Sequence, residues 1–165
     1  MPSEATNDPK HQRNPDDIVI PALLRHARVT YGAAMRQALA KAGYDDIPRN
    51  GLYVIGGMAL DRDDIPLGQL IKQLRISKQA AGQLVDTLVM RGYLKRQVDE
   101  DDRRKLTVTL TERGRAAAAT QAAARQRIDA ELIASVGEDD VRRMRRTLAA
   151  LIDLGSHEQQ EEDAA

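Results

Sequence analysis

A run of helical and extended patterns over residues 66–114 constrains the fold of this chain more than any other feature. The spacing predicts a first helix that opens at Pro66, where a missing backbone N–H has no cost, and that carries Leu and Ile residues on one stripe. After a short connection, Ser77 is a good N-cap for a second helix, and Gly92 stands where a left-handed C-terminal cap is expected. Two helices joined so closely form a helix-turn-helix unit, whose second helix fits a DNA major groove.

A β-hairpin is predicted directly after the second helix. Apolar and polar residues alternate from Tyr93 to Val98 and again from Leu106 to Leu110, and the acidic segment 99–102 forms the turn between them. A hairpin in this position makes the whole unit a winged helix-turn-helix.

The hairpin sequence GYLKRQVDEDDRRKLTVTLTERG resembles the wing of MarR-type transcriptional regulators. The family's wing has D-x-R, then alternating apolar residues, then L-T-x-x-G. Here Asp102 and Arg104 match the first part, and Thr111 and Gly114 match the last. The preceding SKQAAGQLVDTLVMRGYL resembles the family's recognition helix, and the flanking helices agree with the family in pattern only.

The resemblance implies a mainly α-helical fold with a small β-wing, in which N- and C-terminal helices form a dimer interface. The expected organisation is a disordered arm at 1–15, a dimerisation helix at 16–43, a winged helix-turn-helix DNA-binding region at 44–114, C-terminal dimerisation helices at 115–155 and an acidic tail at 156–165.

Local signals set the expected ends of the outer helices. Asp16 or Asp17 is a suitable cap for the first helix, which Gly43 ends, and Pro48 is expected to open a short second one. Thr111 is a good N-cap for the long helix after the wing. The first helix carries a wide apolar stripe, which suits the dimer interface that the resemblance implies; packing on its own subunit alone is the alternative.

Composition favours packed helices and a cytoplasmic protein. The chain has four Tyr, no Phe and no Trp, so its core must consist mainly of Leu, Ile, Val, Ala and Met. No stretch approaches the ~18 apolar residues of a membrane span, and the N-terminus has no apolar run typical of a signal peptide. With no cysteine, disulfides and thiolate metal sites are excluded.

The net charge of zero is unevenly distributed along the chain. Residues 66–115 hold 11 Lys and Arg against 6 Asp and Glu, whereas residues 1–65 hold 8 against 9 and residues 116–165 hold 6 against 10. The positive charge is therefore concentrated on the winged segment, where a phosphate-binding surface needs it.

The outward side of the second helix carries the candidate major-groove residues. Lys78, Gln79 and Gln83 lie opposite its apolar face, and Gln pairs with adenine and Lys with guanine at base edges. Ser77 and the helix N-terminus suit a phosphate. The alternative is an ordinary amphipathic helix with a solvated face.

The resemblance assigns the candidate minor-groove residues. It implies that Asp102 orients Arg104 into a narrow minor groove, with Arg103 at a phosphate. Three further acidic residues at the turn would lie near phosphates and weaken DNA binding. The positive charge of Arg96 on the outgoing strand would balance their negative charge.

In the resembled family, small anionic or phenolic effectors often bind near the short second helix, where the long first helix meets the DNA-binding region. His26, Tyr53 and Met58 are the candidate ligand residues there, although each also fits a packed core. The arginines at 142–146 form either a second basic patch or a face that is solvated or pairs in the dimer.

No catalytic residue set, phosphate loop, cofactor motif or metal cluster is recognisable. The three His residues are isolated in sequence, and the acidic run at 61–64 lacks the Gly and Glu of a calcium loop. The chain is therefore predicted not to be an enzyme.

The sequence thus predicts a homodimeric, double-stranded-DNA-binding transcriptional regulator of the MarR type, with half-sites about 10 bp apart. Repression of its own promoter region and release by a small molecule are what the resemblance implies. The alternatives are a winged-helix module for protein–protein contact and a DNA binder without an effector. The operator, the regulated genes, the effector and the choice between repressor and activator stay open at this point.

Overall fold

The computed structural model describes residues 14–61, 64–74, 76–98 and 106–163. Within them the chain is mainly helical with one small antiparallel sheet, which confirms the predicted fold class. After a turn of 3-10 helix at Pro15–Asp17, the elements in order are α1 Ile20–Lys41, α2 Gly51–Asp61, β1 Asp64–Pro66, α3 Leu67–Gln73, α4 Lys78–Met90, β2 Leu94–Val98, β3 Leu106–Leu110, α5 Glu112–Val136 and α6 Glu138–Asp163. Most of the predicted N-terminal arm falls on residues 1–13, outside the described residues.

The three strands form a sheet in the order β1-β3-β2, with both pairs antiparallel. Ile65 of β1 and Arg96 of β2 both oppose Val108 of β3, and Leu94 opposes Leu110. Because side chains alternate across a strand, Leu94, Val108 and Leu110 share the inner face and are fully buried there. The wing is thus fixed to the helical core at its base.

The core brings α1, α2, α4, α5 and the sheet together. It is almost wholly aliphatic, as the composition predicted, with Ile55, Met58, Val85 and Leu88 at its centre. Tyr93 is the exception, since this large aromatic side chain is fully buried at the end of α4. Its position ties the helix-turn-helix to the wing.

The starts of α1 and α2 differ from the sequence-based expectation. Val19 is the N-cap of α1 and makes no side-chain capping bond, whereas Asp16 and Asp17 belong to the preceding 3-10 turn. The helix α2 begins at Gly51, because Pro48 stays in the turn before it and its carbonyl accepts the Gly51 N–H at 2.8 Å. The predicted cap of α1 and the predicted start of α2 at Pro48 were therefore wrong.

The later helices begin where the sequence indicates. Thr111 caps α5 by accepting the Gly114 N–H at 3.0 Å, and Gly137 separates α5 from α6 with a φ of 87°. The expected tail at 156–165 does not begin as irregular chain, because α6 continues to Asp163. None of the helices in the described ranges is long and apolar enough to cross a membrane.

A polar contact joins the three longest helices. Tyr31 of α1 donates to Asp129 of α5, and Arg145 of α6 donates to the other carboxylate oxygen at 3.3 Å. Burial, together with the hydrogen bond to Asp129, raises the pKa of Tyr31 to about 12. The helices α1, α5 and α6 are thus joined to one another outside the winged segment.

Candidate nucleic-acid interface

The second helix of the helix-turn-helix, α4, is capped and anchored as its sequence predicts. The Ser77 hydroxyl accepts the Ala80 N–H at 3.2 Å, and Gly92 follows the helix with a φ of 74°. One face of the helix is buried against the core, and it consists of Ala81, Leu84, Val85 and Leu88. Packing on this face fixes which side of α4 points outward.

The outward side of α4 carries the polar residues expected to contact DNA. Lys78, Gln79 and Gln83 are all exposed, as is Ser77 at the cap. Nothing lies within 4 Å of a Cβ built on Gly82, so this part of the helix surface is open. A polar face that begins with a lysine at an exposed helix N-terminus suits an anionic duplex.

Asp86 and Met90 extend the same exposed stripe towards the end of α4. Residues 79, 83, 86 and 90 are spaced by four, three and four, which aligns them on one helix face. Asp86 is the single acidic residue of α4. The stripe therefore consists of two amide side chains, one carboxylate and one methionine.

Arg96 does not point away from the protein. It lies opposite the buried Val108, on the inner face of β2, and its guanidinium pairs with the Asp86 carboxylate. The side chains of Arg96 and Asp86 are 34% and 55% exposed, so the pair is at the surface between α4 and the wing. The predicted residue is thus at the candidate interface but is held by the recognition helix.

The remaining wing candidates, Asp102, Arg103 and Arg104, lie outside the described residues. The described parts of β2 and β3 end on either side of them, at Val98 and Leu106.

A polar cluster fixes the base of the wing to the turn between α1 and α2. The Tyr93 hydroxyl donates to Asp46, and Arg113 of α5 donates to both, at 3.0 Å to the tyrosine oxygen and 3.1 Å to the carboxylate. The Tyr93 hydrogen bond, aided by the charge of Arg113, holds the pKa of Asp46 below its usual value. Arg91 at the end of α4 also donates to the backbone carbonyl of Asp46.

Three of the four arginines at 142–146 of α6 pair with carboxylates of the described residues, and Arg145 does so through Asp129. Arg142 pairs with Glu138 and Asp139, and Arg143 pairs with Asp140. Their charge is largely compensated locally, which favours the solvated or pairing face over a second DNA-binding patch.

The structure does not bring the three candidate ligand residues together. Met58 is buried in the core, His26 is on the exposed part of α1, and Tyr53 lines a surface cavity of about 330 Å³. The cavity lies between α1 and the start of α2, and its other lining residues are Arg25, Arg28, Val29, Arg36, Arg49 and Asn50. Arg28 donates to the Tyr53 hydroxyl at 3.2 Å, and its guanidinium stacks 4.4 Å from the ring centroid.

Sequence reasoning missed two features of these surfaces. Asp86 follows Gln83 by three residues, and this helical spacing alone indicates that it shares the outward face. Arg25 and Arg28 are also three apart on α1, but Arg49 joins them only through the turn that folds back beside the helix. In the part of the chain that is described, no group of three or more His, Cys, Asp or Glu residues could hold a metal ion.

Comparison with known proteins agrees with this geometry. A sequence model of the MarR family matches residues 48–105, which run from the turn before α2 to the segment between β2 and β3. No curated protein matches the chain significantly.

Solved structures share the whole architecture. The wild-type apo form of MarR from E. coli is 21% identical, with 81% of this chain and 96% of that chain covered and a TM-score of 0.61. A MarR transcriptional regulator from Methanosarcina mazei is 23% identical, with coverages of 84% and 94% and a TM-score of 0.66. FabT of Streptococcus pneumoniae, solved in complex with DNA, is 18% identical, with coverages of 83% and 96% and a TM-score of 0.65.

At these identities the likeness to the solved structures is one of fold, and the sequence match to the MarR family is confined to residues 48–105. Residues 48–105 of this chain thus resemble the MarR family in sequence, and the described part of the chain has the fold of the solved MarR structures.

Proposed function

We propose that this protein is a homodimeric transcriptional repressor that binds a pseudo-palindromic operator in double-stranded DNA. The observation that carries the proposal is the exposed face of α4, where Lys78, Gln79 and Gln83 follow the capped N-terminus at Ser77. Amides and a lysine in this position offer donors and acceptors to base edges in a major groove. The DNA complex of FabT, which has the same fold, supports this use of the domain.

The polarity of α4 argues against a winged helix used only for protein contact. Such a module needs an apolar exposed face, whereas the exposed residues of α4 are polar except for Ala80 and for Met90 at its end. Arg96 lies beside this helix on β2 and belongs to the proposed interface.

The wing is proposed to enter the adjacent minor groove through Arg104, oriented by Asp102, with Arg103 at a phosphate. Arg104→Ala is expected to weaken operator binding by about 1–3 kcal/mol and to relax the preference for A·T pairs beside each half-site. Unchanged binding by this variant would remove the minor-groove assignment.

Exposed apolar side chains on the outer helices support a dimer. Val19 and Ile20 at the start of α1 are 70% and 61% exposed, and Leu151 and Leu154 in the second half of α6 are 45% and 66% exposed. These residues lie on the two outer helices, and apolar side chains of this size are costly to leave in water. A two-fold axis through such an interface would present two α4 helices to half-sites about 10 bp apart.

The dimer is tested with Leu24→Glu, a charge on the exposed apolar stretch of α1. We expect this variant to sediment as a monomer at concentrations where the unaltered protein is a dimer. Leu60→Glu is the matched control, because Leu60 is an exposed leucine on α2 rather than on the outer helices. A folded Leu24→Glu dimer would contradict the proposed interface.

DNA binding is tested with a duplex of the gene's own upstream region and a scrambled duplex of equal composition, over a series of salt concentrations. We expect tight binding to the first and weaker binding to the second, both with steep salt dependence. Equal, weak binding to both would argue against an operator in that region. A reporter gene behind the same region then separates a repressor from an activator.

The arginine-lined cavity beside Tyr53 is the proposed effector site. Four arginines, Arg25, Arg28, Arg36 and Arg49, line it, and none of them forms an ion pair with a carboxylate of the described residues. Guanidinium groups around a tyrosine ring suit a small anionic or phenolic molecule. Such a ligand would release DNA if it bound better to a dimer whose wings are wrongly spaced.

Hydroxybenzoate, a small phenolic anion, is the probe for this site. We expect calorimetry to detect its binding to the unaltered protein, and Arg28→Gln to abolish the signal while leaving the melting temperature unchanged. Arg146→Gln on α6 is the control. Binding that survives in Arg28→Gln would exclude this cavity.

The proposal also includes a cytoplasmic location, which suits a chain without cysteine.

A further inference from the structure

We propose that Asp86 is a specificity-determining residue that weakens the binding of α4 to DNA of the wrong sequence, and that Arg96 is the positioning residue that holds its carboxylate. The inference rests on the proposed DNA-binding function and concerns the same surface. It follows from two observations. Asp86 is the one acidic residue on an otherwise neutral or basic face of α4, and Arg96 of β2 pairs with its carboxylate.

Asp86 lies where a carboxylate is least expected on a DNA-binding helix. It is one turn beyond Gln83 on the exposed stripe, its side chain is 55% exposed, and it is the single acid of α4. A carboxylate at this position repels phosphates, and it accepts hydrogen bonds only where a base offers an amino group, such as the N4 amino group of cytosine. Placements on DNA without that donor are therefore penalised.

Arg96 fixes where this carboxylate lies. The residue is on the inner face of β2, opposite buried Val108, so its side chain leaves the wing towards α4 and meets Asp86. The pairing also withholds one guanidinium from the phosphates, since a paired arginine contributes less to counterion release than a free one. Both effects lower affinity for DNA in general and leave affinity for a matching site less affected.

The pair is suited to this role because it is of little use for folding. Both partners are substantially exposed, and ion pairs of this kind contribute little to stability. Loss of Asp86 should therefore change DNA binding without changing the thermal midpoint, which separates the proposed role from a structural one.

The test begins with the unaltered protein and a pool of random duplexes. Selection from the pool supplies the preferred duplex, and a scrambled version of it supplies the comparison. If no sequence is enriched, the sequence-specific function fails and the present inference fails with it. If a sequence is enriched, the function stands and the variants decide the role of Asp86.

For Asp86→Asn we expect binding to the scrambled duplex to tighten several-fold, with a salt slope steeper by about one because Arg96 becomes free to contact a phosphate. Binding to the selected duplex should change less, so the ratio of the two affinities falls. Asp139→Asn is the matched control, since it removes a carboxylate from an exposed arginine pair on α6. An unchanged affinity ratio would overturn the proposal.

Arg96→Gln tests the positioning role. It leaves Asp86 without its cation, so we expect weaker binding to both duplexes, recovery in Arg96→Lys, and recovery in the double variant with Asp86→Asn. If Arg96→Gln and the double variant bind equally weakly, Arg96 acts on DNA directly and not through Asp86, which would overturn this part of the proposal.

Discussion

Gly114 of α5 packs directly against the backbone carbonyl of Tyr93, so closely that a Cβ at Gly114 would overlap the carbonyl oxygen. The same carbonyl accepts the backbone N–H of Thr111 at 3.0 Å, and Leu110 closes the other side of the glycine. The first turn of α5 therefore rests on the chain that leaves α4. This contact explains physically why the wing motif ends in a glycine.

Gly114→Ala should destabilise the protein by about 3 kcal/mol, because the obstacle is backbone and not a flexible side chain. Urea unfolding measures the effect. Gly68→Ala on α3 is the matched control, since its added methyl group meets nothing within 4 Å and should be neutral or stabilising by up to ~1 kcal/mol. Equal midpoints for the two variants would contradict the close contact.

Gln121 is a fully buried residue whose side-chain amide has no hydrogen-bond partner among the described residues. Its oxygen would lie 2.7 Å from a Cβ at Gly56, so α2 and α5 approach closely here. Because an unsatisfied buried amide costs about 1–3 kcal/mol, Gln121→Leu should raise the free energy of unfolding by about 1 kcal/mol. The exposed Gln126→Leu serves as the control, and destabilisation of Gln121→Leu would mean that the amide is satisfied by a bound molecule.

The depressed pKa of Asp46 predicts acid-dependent stability. A carboxyl group whose pKa is lower in the folded state stabilises that state above its unfolded pKa of about 4, and this stabilisation is lost as the pH falls through the folded value. Asp46→Asn should therefore be less stable than the unaltered protein at neutral pH, with the difference shrinking in acid. Urea unfolding at several pH values checks this. A difference that does not depend on pH would assign the loss to packing.

The local features of the fold were predictable because the determinants lie within a few residues. Ser77 and Thr111 cap their helices through their own side chains, and Gly92 and Gly137 take positive φ angles at helix ends. Such signals act over one turn of chain. The predicted cap of α1 was wrong because Asp16 lies four residues before the helix, too far to act on its first turn. The helix begins without a side-chain cap.

The long-range parts of the candidate site were not predictable in the same way. The exposed face of α4 follows from its apolar period, but the pairing of Arg96 with Asp86 depends on how the hairpin packs on the helix. The cluster of Asp46, Tyr93 and Arg113 joins residues 20 to 67 positions apart, for which sequence spacing gives no signal. The sequence pattern thus indicated which surface is proposed to face DNA, and packing determines which charged side chains on that surface are paired.

Gln83 offers the clearest test of base reading on that surface. Its side chain is exposed on α4 one turn before Asp86 and takes no part in the core. Gln83→Ala should weaken the binding free energy by about 1–3 kcal/mol on the preferred duplex and by little on a scrambled one. The salt slope of binding should not change, because an amide brings no charge to a phosphate. Lys78→Ala should instead weaken binding to both duplexes and make the slope shallower by about one. Competition binding on both duplexes over a salt series separates the two patterns, and a uniform loss for Gln83→Ala would assign this residue to backbone contact.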